Sequence, residues 1–106
     1  MKLVLVCYSG SSASILRDRM LAWARANLLD VEIIVSSLAG LDEDKEDADI
    51  VLVGPQVRCA LASVRERVPE RIPVMAVDTR DYGMAKGERV MQAALDEIRQ
   101  YKEHKI

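Results

Sequence analysis

The sequence has few aromatic residues and no strong excess of charge of one sign. Aromatic residues make up 4% of its 106 residues, with no Phe and one Trp. The core must therefore be aliphatic, and surfaces for stacking nucleic-acid bases are excluded. Lys and Arg number 15 against 17 Asp and Glu, which gives a formal net charge of −2. Without a bulk positive charge, we expect no nucleic-acid partner.

Cysteine, histidine and long apolar runs are also scarce. No apolar run approaches the roughly 18 residues of a membrane span, and no leader-type cleavage site follows the N-terminus. Two cysteines, Cys7 and Cys59, are too few for a disulfide framework and lack metal-finger spacing. The single histidine, His104, lies in a polar tail, so no Cys–His protease pair can be assigned. We expect a cytoplasmic protein with no metal and no cofactor.

Short apolar runs alternate with helical patterns along the chain. Strands are predicted over residues 3–6, 31–35, 50–53 and 73–77, and apolar residues recur at helical spacing over 13–28, 57–68 and 90–101. This alternation predicts one α/β domain over 1–106, a three-layer sandwich with a four-stranded parallel sheet. The expected strand order is 2-1-3-4, as in flavodoxin-like and low-molecular-weight-phosphatase-like folds. Residues 42–47 predict a solvated turn or short exposed helix, and 78–83 predict a loop.

A cysteine lies where such a sheet places its ligands. With this strand order, a crevice opens beyond the ends of the first and third strands. Cys7 ends the first strand, and Gly54 follows the third. The segment after Cys7 combines small and hydroxyl residues with a helix start, so its amides could hold a phosphoryl group and lower the pKa of the thiol. The members of this predicted phosphate-binding loop are Tyr8, Ser9, Gly10, Ser11, Ser12, Ala13 and Ser14.

The residues that are missing from this loop favour a carrier over a hydrolase. A cysteine phosphatase would place an arginine six positions after the nucleophile, and here that position is Ala13. Without an arginine clamp or a base that activates water, a phosphocysteine would be held and passed on. Cys59 falls just off the apolar face of its predicted helix and has no comparable loop, so we interpret it as a bystander.

Three motifs resemble the IIB component of the bacterial phosphotransferase system (PTS), lactose/cellobiose class. They are Cys7-x-x-Gly10-x-Ser12-x-Ser14, the run 51–56, and the segment from Asp78 to Tyr82-Gly83. The resemblance implies that Cys7 accepts phosphate from a phosphohistidine on a IIA protein. Cys7 would then donate it to a sugar, such as a β-glucoside or disaccharide, bound by the membrane component IIC. The resemblance also implies a crevice beside the phosphate-binding loop, lined by Gly54, Pro55, Gln56, Asp78 and Tyr82.

Other readings of the sequence remain open. A phosphatase or arsenate reductase of the low-molecular-weight type shares the fold and a cysteine loop. A receiver-like module would need acidic residues where Cys7 and Gly54 stand, and a flavin-binding module would need more aromatic residues than this chain has. Arg58 and Arg80 place cations near the predicted crevice, where either could contact phosphate or a partner. The identity of the sugar and the oligomeric state are not encoded in these motifs.

Overall fold

Four parallel strands form the centre of the molecule. A computed structural model describes residues 1–7 and 10–104. The strands are β1 (Lys2–Val6), β2 (Glu32–Ser36), β3 (Ile50–Val53) and β4 (Val74–Ala76). They pair in parallel in the order β2-β1-β3-β4, which confirms the predicted topology.

Helices cover both faces of the sheet. They are α1 (Gly10–Ala26), α2 (Leu41–Asp44), a 3₁₀ helix (Pro55–Ala60), α3 (Leu61–Arg67), α4 (Thr79–Gly83) and α5 (Gly87–His104). Leu3 and Leu5 of β1 pack with buried residues of α1 and α5, whereas Val4 and Val6 pack with α2, the 3₁₀ helix and α3. The two central strands are thus buried on both faces, which explains why they read as continuous aliphatic runs. The three-layer prediction is confirmed.

Two local predictions were wrong. Helix α1 begins at Gly10, three residues before the predicted start at Ala13. Residues 79–83, predicted as a loop, form α4, whose N-cap is Asp78. The Asp78 carboxylate accepts hydrogen bonds from the amides of Arg80 (2.9 Å) and Asp81 (3.0 Å), so it satisfies N–H groups that a helix start leaves unpaired. A helix of one turn is too short to show apolar periodicity, and the aspartate was its only sequence signal.

Helices α1 and α5 come into very close contact at Gly87, the first residue of α5. A β-carbon placed on Gly87 would lie 2.5 Å from the carbonyl carbon of Arg19 and 2.6 Å from the amide nitrogen of Met20. Only a residue without a side chain fits there. This contact sets the position of the α4–α5 turn against α1.

None of the helices within residues 1–7 and 10–104 combines the length and the apolar character that crossing a membrane requires.

Candidate functional site

Cys7 is fixed to the sheet by its backbone. It directly follows β1, and its amide donates a 2.9 Å hydrogen bond to the carbonyl oxygen of Ser36 at the end of β2. On the other side of β1, Val6 is paired with Val53 of β3. The cysteine therefore stands at the carboxyl edge of a central strand, which is where parallel sheets place their ligands.

The Cys7 side chain packs on the α1 and α5 face of the sheet. It is only 3% exposed and belongs to the same buried cluster as Ala13 and Tyr82. Burial removes water from the sulfur and raises the pKa of the Cys7 thiol above its ordinary value, because the charged form loses solvation. The sequence-based expectation of a lowered thiol pKa was therefore wrong. The prediction considered only the hydrogen-bond donors near Cys7, because the sequence does not show which residues pack around the sulfur.

The structure describes only part of the predicted phosphate-binding loop, and that part lies in α1. Tyr8 and Ser9 lie outside the described residues. Gly10 to Ser14 form the start of α1 instead of a free loop. The first four N–H groups of an α-helix have no intrahelical acceptor, so the start of α1 supplies amide donors three residues after Cys7. Ala13, at the position where a phosphatase would carry arginine, is fully buried.

Gly54 forms the wall next to Cys7. Its amide donates a 2.9 Å hydrogen bond to the carbonyl oxygen of Val6, the residue before Cys7. A β-carbon on Gly54 would lie 3.2 Å from that oxygen, 3.2 Å from Oε1 of Gln56 and 3.4 Å from the Tyr82 ring. The φ of Gly54 is −67°, so a glycine is needed here for close approach and not for an unusual backbone conformation. The structure thus brings Gly54, Gln56 and Tyr82 together beside Cys7.

The other predicted residues lie on the 3₁₀ helix and at the start of α4. Pro55 begins the 3₁₀ helix, where its fixed φ suits a first helical position. Asp78 is exposed, and its carboxylate is engaged in capping α4. Arg58 and Arg80 are exposed on the 3₁₀ helix and on α4, respectively. Cys59 is an exposed free thiol on the 3₁₀ helix.

Sequence reasoning missed two features of this edge. The first is Ser36, whose carbonyl oxygen holds the Cys7 amide. The second is a cleft of 530 Å³ between α4 and the start of α5, to which Lys86 and Arg89 contribute. The polar segment 78–89 contained these cations, but only the fold of α4 brings them to one cleft.

Across residues 1–7 and 10–104 no group of three or more His, Cys, Asp or Glu side chains is placed to hold a metal ion.

The two thiols should differ sharply in alkylation. With iodoacetamide at neutral pH, we expect rapid labelling of exposed Cys59 and slow labelling of Cys7, because Cys7 is buried and its raised pKa keeps it protonated. The labelling rate of Cys7 should keep rising at pH values above those at which an ordinary thiol is fully ionised. Unfolding in urea should abolish the difference in rate between the two cysteines. Peptide mapping after timed labelling measures both rates, with Cys59→Ser as the control. Equal rates in the native chain would contradict the described packing.

Comparison with known proteins places this geometry in one family. The family model for the PTS lactose/cellobiose-specific IIB subunit matches residues 2–93. The chain is 33% identical over 95 residues to the oligo-beta-mannoside-specific EIIB component of Bacillus subtilis, covering 89% of this chain and 92% of that protein. It is 32% identical over 98 residues to the galactose-specific EIIB component of Lactococcus lactis, covering 87% and 91%.

A solved structure agrees with these sequence relatives. The cellobiose-specific phosphotransferase IIB component of Borrelia burgdorferi superimposes with a TM-score of 0.79 at 30% identity, covering 95% of this chain and 94% of that one. The chain therefore belongs to the lactose/cellobiose-specific IIB family of the PTS, whose members are phosphoryl carriers in sugar transport.

Proposed function

We propose that Cys7 is the residue that carries the phosphoryl group. The supporting observation is its position: it ends a central strand at the carboxyl edge of the sheet, three residues before the start of α1 and beside Gly54. Helix starts favour anionic groups because their free amides and dipole carry partial positive charge. The other described cysteine, Cys59, has no comparable surroundings.

Two displacements at phosphorus make up the proposed reaction. In the first, Sγ of Cys7 forms a bond to the phosphorus of a phosphohistidine while the phosphorus–nitrogen bond breaks. The thiol proton passes to the departing imidazole nitrogen. A thiol that burial keeps protonated brings this proton with it, so the first step does not need a preformed thiolate. The start of α1 would meet the phosphoryl oxygens with amide donors.

In the second displacement a sugar hydroxyl attacks the phosphocysteine. An oxygen–phosphorus bond forms, the sulfur–phosphorus bond breaks, and Cys7 is regenerated. The Asp78 carboxylate caps α4 and the Asp81 carboxylate pairs with Arg89, so we assign the base that takes the hydroxyl proton to the membrane partner. The donor is a IIA protein and the acceptor is a sugar held by IIC, and the chain works at the cytoplasmic side of the membrane. The relatives named above are described as specific for oligo-beta-mannoside, galactose and cellobiose, and we propose a related β-glucoside or disaccharide here.

Labelling with phosphate tests the carrier role. Incubation with a phosphorylated IIA protein should transfer one phosphoryl group per chain and leave a thiophosphate that persists after the donor is removed. Steady hydrolysis of p-nitrophenyl phosphate should be absent, because Ala13 replaces the arginine that a phosphatase needs. Turnover that depends on Cys7 would instead support the phosphatase alternative. Phosphorylation of free sugar by the isolated chain would contradict the assignment of the base to IIC.

A further inference from the structure

The cleft between α4 and α5 contains three cationic side chains. It is lined by Asp78, Thr79, Arg80, Asp81, Lys86 and Arg89. The Asp78 carboxylate caps α4, and the Asp81 carboxylate pairs with Arg89 at 3.0 Å. Among the described residues, the side chains of Arg80 and Lys86 form no ion pair or hydrogen bond. Two exposed positive charges therefore remain available in the cleft.

This cleft lies on the same edge of the sheet as Cys7. Helix α4 follows β4, and one strand, β3, separates β4 from β1. Two strand spacings correspond to about 10 Å. Tyr82, in the middle of α4, belongs to the same buried cluster as Cys7. A molecule bound in the cleft would thus stand close to the sulfur.

Exposed apolar side chains flank the cations. Met84, the C-cap residue of α4, is 57% exposed, and Ile15 on α1 is 55% exposed. Ile15 lies one helical turn before Arg19, and Arg19 donates a hydrogen bond of 3.4 Å to the carbonyl oxygen of Ala85, the residue after Met84. Helix α1 and the α4–α5 turn therefore form one continuous surface with apolar and cationic side chains, as in the centre and rim of a protein interface.

We propose that the surface formed by Ile15, Met84, Arg80 and Lys86 docks an acidic region of the phosphohistidine donor protein. This inference rests on the proposed function. The chain has a net charge of −2, and the donor arrives with an anionic phosphoryl group, so local cations are needed to offset the repulsion. Once the phosphoryl group moves to Cys7, it supplies negative charge beside the same cations and weakens their hold on the spent donor.

A protein partner fits this surface better than an anionic membrane does. The cations share the cleft with the carboxylates of Asp78 and Asp81. A protein can meet such mixed charges pair by pair, whereas a uniformly anionic lipid surface would repel the carboxylates. The apolar pair is also small, which suits the anchor of a transient interface.

Charge reversal in the cleft tests the proposal. The double variant Arg80→Glu/Lys86→Glu should lower the rate of phosphoryl transfer from a phosphorylated IIA protein to Cys7 by about tenfold or more at low ionic strength. The loss should disappear near 1 M salt, where the screening length falls to about 3 Å. The matched control is Arg25→Glu/Arg71→Glu, which changes net charge equally at exposed positions on the opposite edge of the sheet. It should transfer at the native rate.

Three results would overturn the inference. The first is equal transfer rates for the cleft variant and the control, with a native chain that accepts phosphate normally. The second is loss of binding to vesicles of anionic lipid with donor transfer unchanged, which would assign the cations to the membrane surface. The third is a defect confined to phosphorylation of sugar by vesicles that contain IIC. Failure of the native chain to accept phosphate would instead refute the proposed function, so the two failures are distinguishable.

Discussion

Replacing Cys7 by serine should abolish phosphoryl transfer. A serine hydroxyl is a far weaker nucleophile than a thiol, so we expect acceptance of phosphate to fall by about a thousandfold or more. The measurement is retention of labelled phosphate on the chain after incubation with a phosphorylated IIA protein. Cys59→Ser is the matched control and should retain full labelling, because Cys59 lies exposed on the 3₁₀ helix.

The fold of the serine variant must be checked separately. Cys7 lies in an apolar cluster, and burying a hydroxyl there without a partner costs about 1–3 kcal/mol. Cys7→Ala avoids this cost and should be equally inactive. Circular dichroism and a urea titration of both variants establish that the loss of label is chemical. Labelling that persists in either folded variant would assign the phosphoryl group to another residue.

Replacing Gly87 by alanine should strongly destabilise the chain. The added methyl group would lie 2.5 and 2.6 Å from backbone atoms of α1 and 2.8 Å from the β-carbon of Arg19. None of these atoms can rotate away, so α5 must shift as a whole. Overpacking of this kind costs about 3 kcal/mol, which is a large share of the roughly 5–15 kcal/mol of a typical domain. The measurement is the midpoint of urea unfolding.

Gly83→Ala is the control for this substitution. Apart from its chain neighbours and the backbone of its own helix, nothing lies within 4 Å of a β-carbon at Gly83, which ends α4. Because alanine is the better helix former, we expect the free energy of unfolding to stay unchanged or rise by about 0.5–1 kcal/mol. A native-like midpoint for Gly87→Ala would show that α1 and α5 do not approach each other as described.

The parts of the fold that could be predicted are those whose residues are buried on both sides. Residues 50–53 were predicted as a strand with the same bounds as β3, because a strand covered on both faces appears as an unbroken aliphatic run. The start of α1 was missed because Gly10 and the serines after it are poor helix formers. The position of α1 directly after β1 in the fold, and not the helix propensity of these residues, determines where the helix begins.

The position of the candidate site at one edge of the sheet could be predicted, and its environment could not. Strand order alone put Cys7 and Gly54 at one edge. The raised pKa of Cys7 depends on Ala13, Tyr82 and other residues distant in sequence that close around the sulfur. The cationic cleft depends on α4, whose five residues carry too little pattern to be found in advance.

The hydrogen bond between the Cys7 amide and Ser36 has a consequence for assembly with other proteins. With β2 bonded on one side of β1 and β3 on the other, the backbone that leads into Cys7 has little freedom to move toward a partner. In the proposed transfer, the donor and the acceptor must each bring their own reacting atom to a sulfur whose backbone does not move. Rigid-body docking of separately determined partner structures should therefore reproduce the geometry of both encounters.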